Sequence, residues 1–231
     1  MKAFLLAAGL GNRLRPLTDS TPKCLLPIQG VPLLSIWLCL CHQYGINEVL
    51  INTHTHGERV REYLAEHRNG VKTRVVDEPV LLGSAGTILA NRDWVAGEPD
   101  FWVLYADVLT NANLGRMMQF HQERPSVATL GGYEVPDPER CGIMQVNEEG
   151  RIEHFVEKPK TPSGRLAFSG LMVAGAALFE AIPRDLPADL GFDVLPRLAG
   201  RMFAYPISDY LLDIGTIENY ELALKSWPGL S

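Results

Sequence analysis

Short apolar runs alternate with helix-length segments along the first 130 residues, and this alternation constrains the fold more than any other feature. Lys2–Ala7 is a buried strand that runs into a loop at Gly9. From Gly9 to Pro27 the chain holds three prolines, two glycines and several cations with little periodicity, which marks a long functional loop. Pro32–Gln43 predicts a helix with Gly45 just past its end. Glu48–Asn52 predicts a strand, Glu58–His67 a helix and Thr73–Val76 a strand. Ser84 opens a further helix, with Ser84 as its cap where no ligand is involved. Phe101–Tyr105 is a buried strand leading to Asp107, Leu114–Glu123 a helix and Val127–Leu130 a strand. This order predicts an α/β fold with a doubly wound, mostly parallel sheet.

The pattern then changes. Gly142–Val146 and Ile152–Val156 flank Asn147-Glu148-Glu149-Gly150, a hairpin signature that predicts a small antiparallel insert. Phe168–Val173, a helix near Ala176–Ala181, a strand at Phe203–Pro206 and a helix over Ile217–Ser226 complete the reading. No internal repeat or low-complexity linker interrupts it.

With 231 residues the chain is long enough to bury a full core as one domain. A formal charge of −6 argues against general nucleic-acid binding. The first 25 residues nevertheless carry Lys2, Arg13, Arg15 and Lys23 against Asp19 alone, which suggests a small anionic ligand. No apolar run reaches the ~18 residues of a membrane span, and the N-terminus lacks a signal-peptide pattern. A cytoplasmic protein with no membrane partner is expected. The four cysteines (Cys24, Cys39, Cys41, Cys141) lack paired spacing and read as free, mostly buried thiols.

The segment Leu5–Ile28 carries the chemistry. Gly9 and Gly11, directly after a strand, let backbone N–H groups approach a phosphate. Arg13 adds a planar donor fork and Lys23 a mobile point charge. The dinucleotide fingerprint is excluded because Leu14 stands where its third glycine is required, and no P-loop is present. His54 and His56 alternate as on a strand or loop without a metal pattern. His121 and His154 read as surface or boundary residues.

These residues resemble the N-terminal signature of sugar-phosphate nucleotidyltransferases, close to LAxGxGxRLxPLT followed by PKxLxP. Leu6-Ala7-Ala8-Gly9, Gly11, Arg13-Leu14, Pro16-Leu17-Thr18 and Pro22-Lys23 with Pro27 fall in place, with Asn12 in the usual Ser or Thr position. Leu82-Gly83-Ser84-Ala85-Gly86-Thr87 looks like the family's LGTAG loop, and Asp107 like the aspartate of NGD, with Tyr105-Ala106 replacing Asn-Gly. Glu157-Lys158-Pro159 looks like EKP, Ser169-Gly170 stands where Asn-Gly is common, and Asp213-Ile214-Gly215-Thr216 resembles DIGT.

The resemblance implies a Rossmann-like sheet of the nucleotide-diphospho-sugar transferase type over residues 1–231, a single catalytic domain without the left-handed β-helix of longer relatives. It implies transfer of a nucleoside monophosphate from a nucleoside triphosphate to a sugar 1-phosphate, releasing pyrophosphate. Arg13, Lys23 and Lys158 are then catalytic. Leu6, Ala8, Gly9, Gly11, Glu78, Gly83, Ser84 and Gly86 bind nucleotide. Glu157, Ser169 and Gly170 contact the sugar, and Asp107 and Asp213 hold Mg2+. Asp77-Glu78-Pro79 followed by Leu82–Gly86 looks closest to guanylyltransferases acting on mannose or heptose 1-phosphates, with Glu78 either meeting the guanine amino group or standing solvated before Pro79. A uridylyl- or thymidylyltransferase, or a catalytically silent subunit that binds nucleotide-sugar, is the alternative. A homodimer is expected, and no nucleic-acid partner.

Overall fold

The computed structural model describes residues 1–67 and 70–230; Arg68, Asn69 and Ser231, which fall within the expected 1–231 domain, lie outside the described residues. In chain order the strands and helices begin with β1 (Lys2–Leu6), β2 (Pro27–Ile28), β3 (Val31–Pro32), α1 (Leu33–Gln43), β4 (Glu48–Thr53), α2 (Gly57–Glu66) and β5 (Lys72–Asp77). There follow α3 (Ser84–Ala90), β6 (Asp100–Tyr105), β7 (Val108–Thr110), α4 (Leu114–Gln122), β8 (Ala128–Glu134), β9 (Gly142–Val146) and β10 (Ile152–Glu157). The remainder is β11 (Leu166–Gly175), β12 (Met202–Pro206), β13 (Leu211–Asp213) and α5 (Ile217–Ser226). The fold is mixed α/β with a mostly parallel central sheet and small antiparallel additions, as the alternation predicts.

The chain divides into two compact units. The first comprises residues 1–81, 104–112 and 209–231. Within it β1, β4 and β5 pair in parallel, Lys2 opposite Glu48 and Glu48 opposite Lys72. The β1 sequence AFL is fully buried, as a parallel strand covered on both faces must be. Helix α1 buries eight of its eleven residues and is apolar almost all round, whereas α2 buries Val60 alone and turns a charged face to water. The short strands β7 and β13 pair antiparallel and place Asp213 opposite Val108.

The second unit comprises residues 82–103 and 113–208. Here β11 pairs antiparallel with β8 and β9, β9 pairs with β10 as the predicted hairpin, and β12 runs parallel to β8. Strand β8 continues past the predicted Leu130 to Glu134. Gly131 and Gly132, which look like a break in the sequence, instead make room for neighbours. A Cβ on Gly131 would lie 2.4 Å from Ser169 Oγ, and one on Gly132 would lie 3.0 Å from Met144 Cε. The segment near Ala176–Ala181 forms a 3-10 turn rather than an α-helix.

His121 departs from the surface expectation. It is buried because its ring is fully partnered, Nδ1 with Thr129 Oγ1 at 2.8 Å and Ser126 Oγ at 3.2 Å, and Nε2 with Asp100 Oδ1 at 3.2 Å. His154 is exposed as expected. Of the thiols, Cys24 and Cys41 are buried and pushed up to about 12 by desolvation; Cys39 is exposed and Cys141 half-buried. Among the described residues no helix is long and apolar enough to cross a membrane.

Candidate active site

In the first unit the glycine loop leaves β1 and folds back on itself. Gly11 adopts φ +65°, and its carbonyl accepts from both Leu14 N–H and Thr18 Oγ1 at 2.8 Å. A Cβ there would meet Thr18 Cγ2 at 2.9 Å, so both conformation and space require glycine. Gly9 faces open space. The 3-10 turn Asn12–Leu14 sinks Leu14 into the core and leaves Arg13 exposed. A second turn, Lys23–Leu25, sends the Lys23 side chain inward, with only 10% of it exposed, to an ion pair of 2.7 Å with Asp107 Oδ2.

Asp107 stands between the end of β6 and the start of β7. Its carbonyl accepts from Ile214 N–H at 3.0 Å, which holds the DIGT segment against it. Asp213 ends β13, and its Oδ1 accepts from Gly215 N–H at 2.6 Å. A Cβ built on Gly215 would lie 2.7 Å from Asp213 Oδ1, 2.9 Å from Arg13 Nη2 and 3.4 Å from Lys23 Nζ. Gly215 is thus the point on which four predicted residues converge: Arg13, Lys23, Asp213 and, through Lys23, Asp107. Solvent reaches the Asp213 side chain, yet enough protein surrounds the carboxylate for desolvation to raise its pKa. The Asp107 charge raises it further, against Lys23, the Gly215 N–H and Arg13. Thr216 caps α5 by accepting from Asn219 N–H, so the motif's last residue has a structural task.

In the same unit, Asn52 is buried near the end of β4. Its carboxamide accepts from Ala7 N–H at 2.8 Å and donates to Glu78 Oε1 at 2.9 Å. Glu78 is 4% exposed, which corrects the solvated-loop alternative for it. Ala106 is also buried, and its N–H bonds Leu6 C=O at 3.0 Å.

In the second unit the LGSAG loop is organised by a segment that motif reading missed. Gly83 adopts φ +78°, and a Cβ on it would lie 2.3 Å from the Ala188 carbonyl oxygen. That carbonyl accepts from Ala85 and Gly86 N–H, both at 3.0 Å. Space and helix donors at this loop are therefore taken by residue 188, and the ligand contacts expected of Gly83 and Gly86 gain no support from their smallness. Ser84 is the first helical residue and not the cap, a position held by Gly83. Its hydroxyl donates to Asp189 Oδ2 at 2.9 Å and accepts from Leu190 N–H at 2.7 Å.

Asp189 Oδ1 accepts from Gly191 and Phe192 N–H and fixes the π-helical turn Leu190–Val194. That turn touches Glu157, since a Cβ on Gly191 would lie 2.4 Å from Glu157 Oε2 and one on Gly142 would lie 2.6 Å from it. Burial raises the Glu157 pKa and Asp189 adds to the effect, while Lys158, 3.5 Å away, opposes it. Lys158 is exposed with φ +47°. Ser169 is buried at a bulge in β11 and accepts from Leu171 N–H, and Gly170 adopts φ +81° there.

Residues 2–226 match the family model described as Nucleotidyl transferase. The chain belongs to this nucleotidyl transferase family. Among curated relatives, a probable mannose-1-phosphate guanylyltransferase 1 of Oryza sativa subsp. japonica is 30% identical over 97% of this chain and 64% of its own length. A UTP–glucose-1-phosphate uridylyltransferase of Synechocystis is 30% identical over 97% of this chain and 63% of its own length. The chain thus spans a little under two thirds of these relatives. A solved structure of a glucose-1-phosphate thymidylyltransferase from Bacillus anthracis, so described with its assignment provisional, shares the fold. It matches with TM-score 0.86 and 24% identity over 97% of this chain and 94% of that one.

The first unit gathers two cations and two carboxylates around a glycine where even a methyl group would press on three of their side-chain ends. The second unit offers a partly buried carboxylate beside an exposed ammonium. Asn52, Asp189 and Gly191 are the residues that sequence reasoning missed. The signal for Asn52 was available, as a carboxamide at the end of an otherwise apolar strand.

Proposed function

We propose that this protein joins a sugar 1-phosphate to a nucleoside triphosphate, making a nucleotide-sugar and pyrophosphate, with GTP and a mannose-type 1-phosphate as substrates. The convergence of Arg13, Lys23, Asp107 and Asp213 around Gly215 carries the reading. The attacking sugar-phosphate oxygen is already an anion, so no general base is required. Catalysis then rests on positioning two polyanions and neutralising charge on the leaving group. Arg13 would bind the leaving phosphates, Lys23 the phosphates at the reacting centre and Lys158 the attacking phosphate. Glu157 would accept from sugar hydroxyls.

Asp107 and Asp213 fit magnesium. They are hard oxygen donors, and the Asp213 pKa is raised by desolvation and then by the Asp107 charge, both of which a divalent cation would offset. When bound, that ion would neutralise phosphate charge and fix the triphosphate's orientation. The choice of GTP rests on the mannose-1-phosphate guanylyltransferase relatives and on Glu78, a buried acid tied through Asn52 to the start of the glycine loop. Uridylyl transfer is the second reading, supported by the Synechocystis relative at equal identity.

The deciding experiment supplies magnesium, mannose 1-phosphate and each of GTP, UTP, dTTP and CTP, and follows pyrophosphate. GTP is expected to be used at least tenfold better than the others. Preference for a pyrimidine triphosphate overturns the base assignment. Absence of pyrophosphate with every triphosphate and with mannose, glucose and heptose 1-phosphates overturns the reaction.

A further inference from the structure

Phe192 is an anomaly of the second unit. It is a large apolar side chain 58% exposed, on a turn that Asp189 and Ser84 hold rigidly through five hydrogen bonds to backbone and side chain. The backbone at the root of the ring is fixed, since the Phe192 N–H is bonded to Asp189 Oδ1 at 3.1 Å. The turn is π-helical, a rare geometry frequently found at functional sites. Gly191, the residue before it, is forced to glycine by Glu157. One turn therefore brings the Glu157 carboxylate and the Phe192 ring to the same place.

Lys158 completes the group. Its backbone is held at φ +47°, uncommon for a residue with a side chain, and its N–H bonds Cys141 C=O at 2.9 Å. From that fixed root the ammonium lies 5.6 Å from the centre of the Phe192 ring and 3.5 Å from Glu157 Oε1. A lysine side chain that is 56% exposed otherwise samples many rotamers, and freezing them on binding weakens affinity. An aromatic face within about 6 Å attracts the cation and narrows that range beforehand.

We propose that Phe192 is a positioning residue, whose exposed ring holds the Lys158 ammonium beside Glu157 and preorganises the capture of the sugar 1-phosphate. The proposal rests on Lys158 being the group that takes the attacking phosphate. An aromatic ring is required, because the attraction comes from its π-face and not from apolar bulk.

The test is equilibrium binding of mannose 1-phosphate by calorimetry, together with steady-state kinetics in which each substrate is varied. Phe192→Ala should weaken mannose 1-phosphate binding and raise its KM roughly two- to fivefold, with the triphosphate KM and the melting temperature unchanged. Phe192→Trp and Phe192→Tyr should restore binding, and Phe192→Leu should not. In a Lys158→Ala background the Phe192→Ala change should have no further effect, because the ring then has no cation to hold.

Full binding in Phe192→Leu would overturn the π-face argument. An equal loss in the Lys158→Ala background would overturn the coupling. An unchanged KM in Phe192→Ala would overturn the whole. If the wild-type protein releases no pyrophosphate yet binds mannose 1-phosphate with this dependence on Phe192, the reaction assignment fails and the positioning role stands. Absence of binding by the wild type sinks the positioning role.

Discussion

Lys23 sets its Nζ 2.7 Å from Asp107 Oδ2 across 84 residues of sequence, in a pocket that leaves only a tenth of the lysine side chain exposed. A lysine this enclosed needs its carboxylate, and the carboxylate gains a fixed orientation in return. The pairing puts a cation and a candidate metal ligand in contact before any substrate arrives. Asp213 sits close enough for the Asp107 charge to raise its pKa. Charge at this centre is therefore poised rather than balanced, with two acids and two cations awaiting polyanions.

Removing either acid should show this directly. Asp107→Ala and Asp213→Ala are each expected to lower turnover by orders of magnitude while the fold survives, since Asp107 lies in the turn between β6 and β7 and Asp213 is the exposed last residue of β13. Asp107→Ala also leaves the enclosed Lys23 unpaired, so its melting temperature should fall below that of Asp213→Ala. Loss of one ligand of a charge-neutralising ion removes several kcal/mol of transition-state stabilisation, and about 1.4 kcal/mol is tenfold. Pyrophosphate release and a thermal melt check the two halves of the statement. Full activity of either variant, or of the wild type in EDTA, would exclude a two-aspartate metal site.

Gly215→Ala is a finer probe. The added methyl group would press on Asp213 Oδ1, Arg13 Nη2 and Lys23 Nζ, the ends of flexible side chains. Backbone strain is absent, so the melting temperature should hardly move. Displacing three reacting-centre groups by a few tenths of an ångström to about 1 Å should cost roughly ten- to a hundredfold in turnover. A variant of wild-type activity would show that these groups do not act from their observed positions.

How far the sequence foretells this site depends on the kind of signal. The parallel strands and the β9–β10 hairpin are legible because apolar period and turn chemistry act locally. The closeness of Asp107 and Asp213 is not local. It depends on β7 and β13, three residues each, too short to leave a periodic trace, and only the resemblance anticipated it. Glu78 looks solvated because it precedes Pro79, yet Asn52 supplies the hydrogen bond that makes its burial tolerable. The turn at Leu190–Val194 follows Pro187 and carries glycine and two nearby acids, a composition that reads as plain loop. Its order comes from the local cap Asp189 together with Ser84, more than a hundred residues earlier in the chain, which bonds both Asp189 and the Leu190 N–H.

The same turn makes a stability prediction. Gly83→Ala meets the Ala188 carbonyl oxygen at 2.3 Å and must also hold φ +78°, so both sterics and backbone oppose it. A loss of about 3 kcal/mol or more is expected, from overpacking plus a left-handed conformation. Ser84→Ala removes two hydrogen bonds without a clash and should cost about 1–2 kcal/mol. Urea midpoints at constant slope compare the two. Equal costs would mean that residue 188 does not fix this loop.

Substrate roles separate by kinetics. Lys158→Ala should raise the KM for the sugar phosphate and leave that for the triphosphate nearly unchanged. Arg13→Ala should lower kcat, because in the proposed mechanism its interaction with the leaving pyrophosphate strengthens as the bond breaks. Each effect should be about tenfold or more, the scale of one charge-assisted contact. A Lys158→Ala enzyme altered only in its triphosphate dependence would reverse the assignment.

Glu157, the proposed sugar ligand, makes stability depend on pH. Burial places its pKa above the ordinary carboxylate range, with Lys158 opposing. The folded state therefore favours the protonated acid. Its contribution to stability is full below the unfolded value, about 4.3, and is lost as pH rises through the folded value. Glu157→Gln is neutral at every pH and should match the wild type near pH 4. Near pH 8 it should be the more stable of the two, by a modest margin because the Lys158 attraction offsets part of the desolvation. The same variant should use the sugar phosphate poorly, since the amide replaces one of the two acceptor oxygens with an NH2 donor and removes the charge that strengthens hydrogen bonds from the proposed sugar hydroxyls. Denaturation at both pH values measures the difference. A Gln variant less stable than wild type near pH 8 would mean that Lys158 outweighs burial, and the carboxylate would then be held in place for the fold rather than kept there against it.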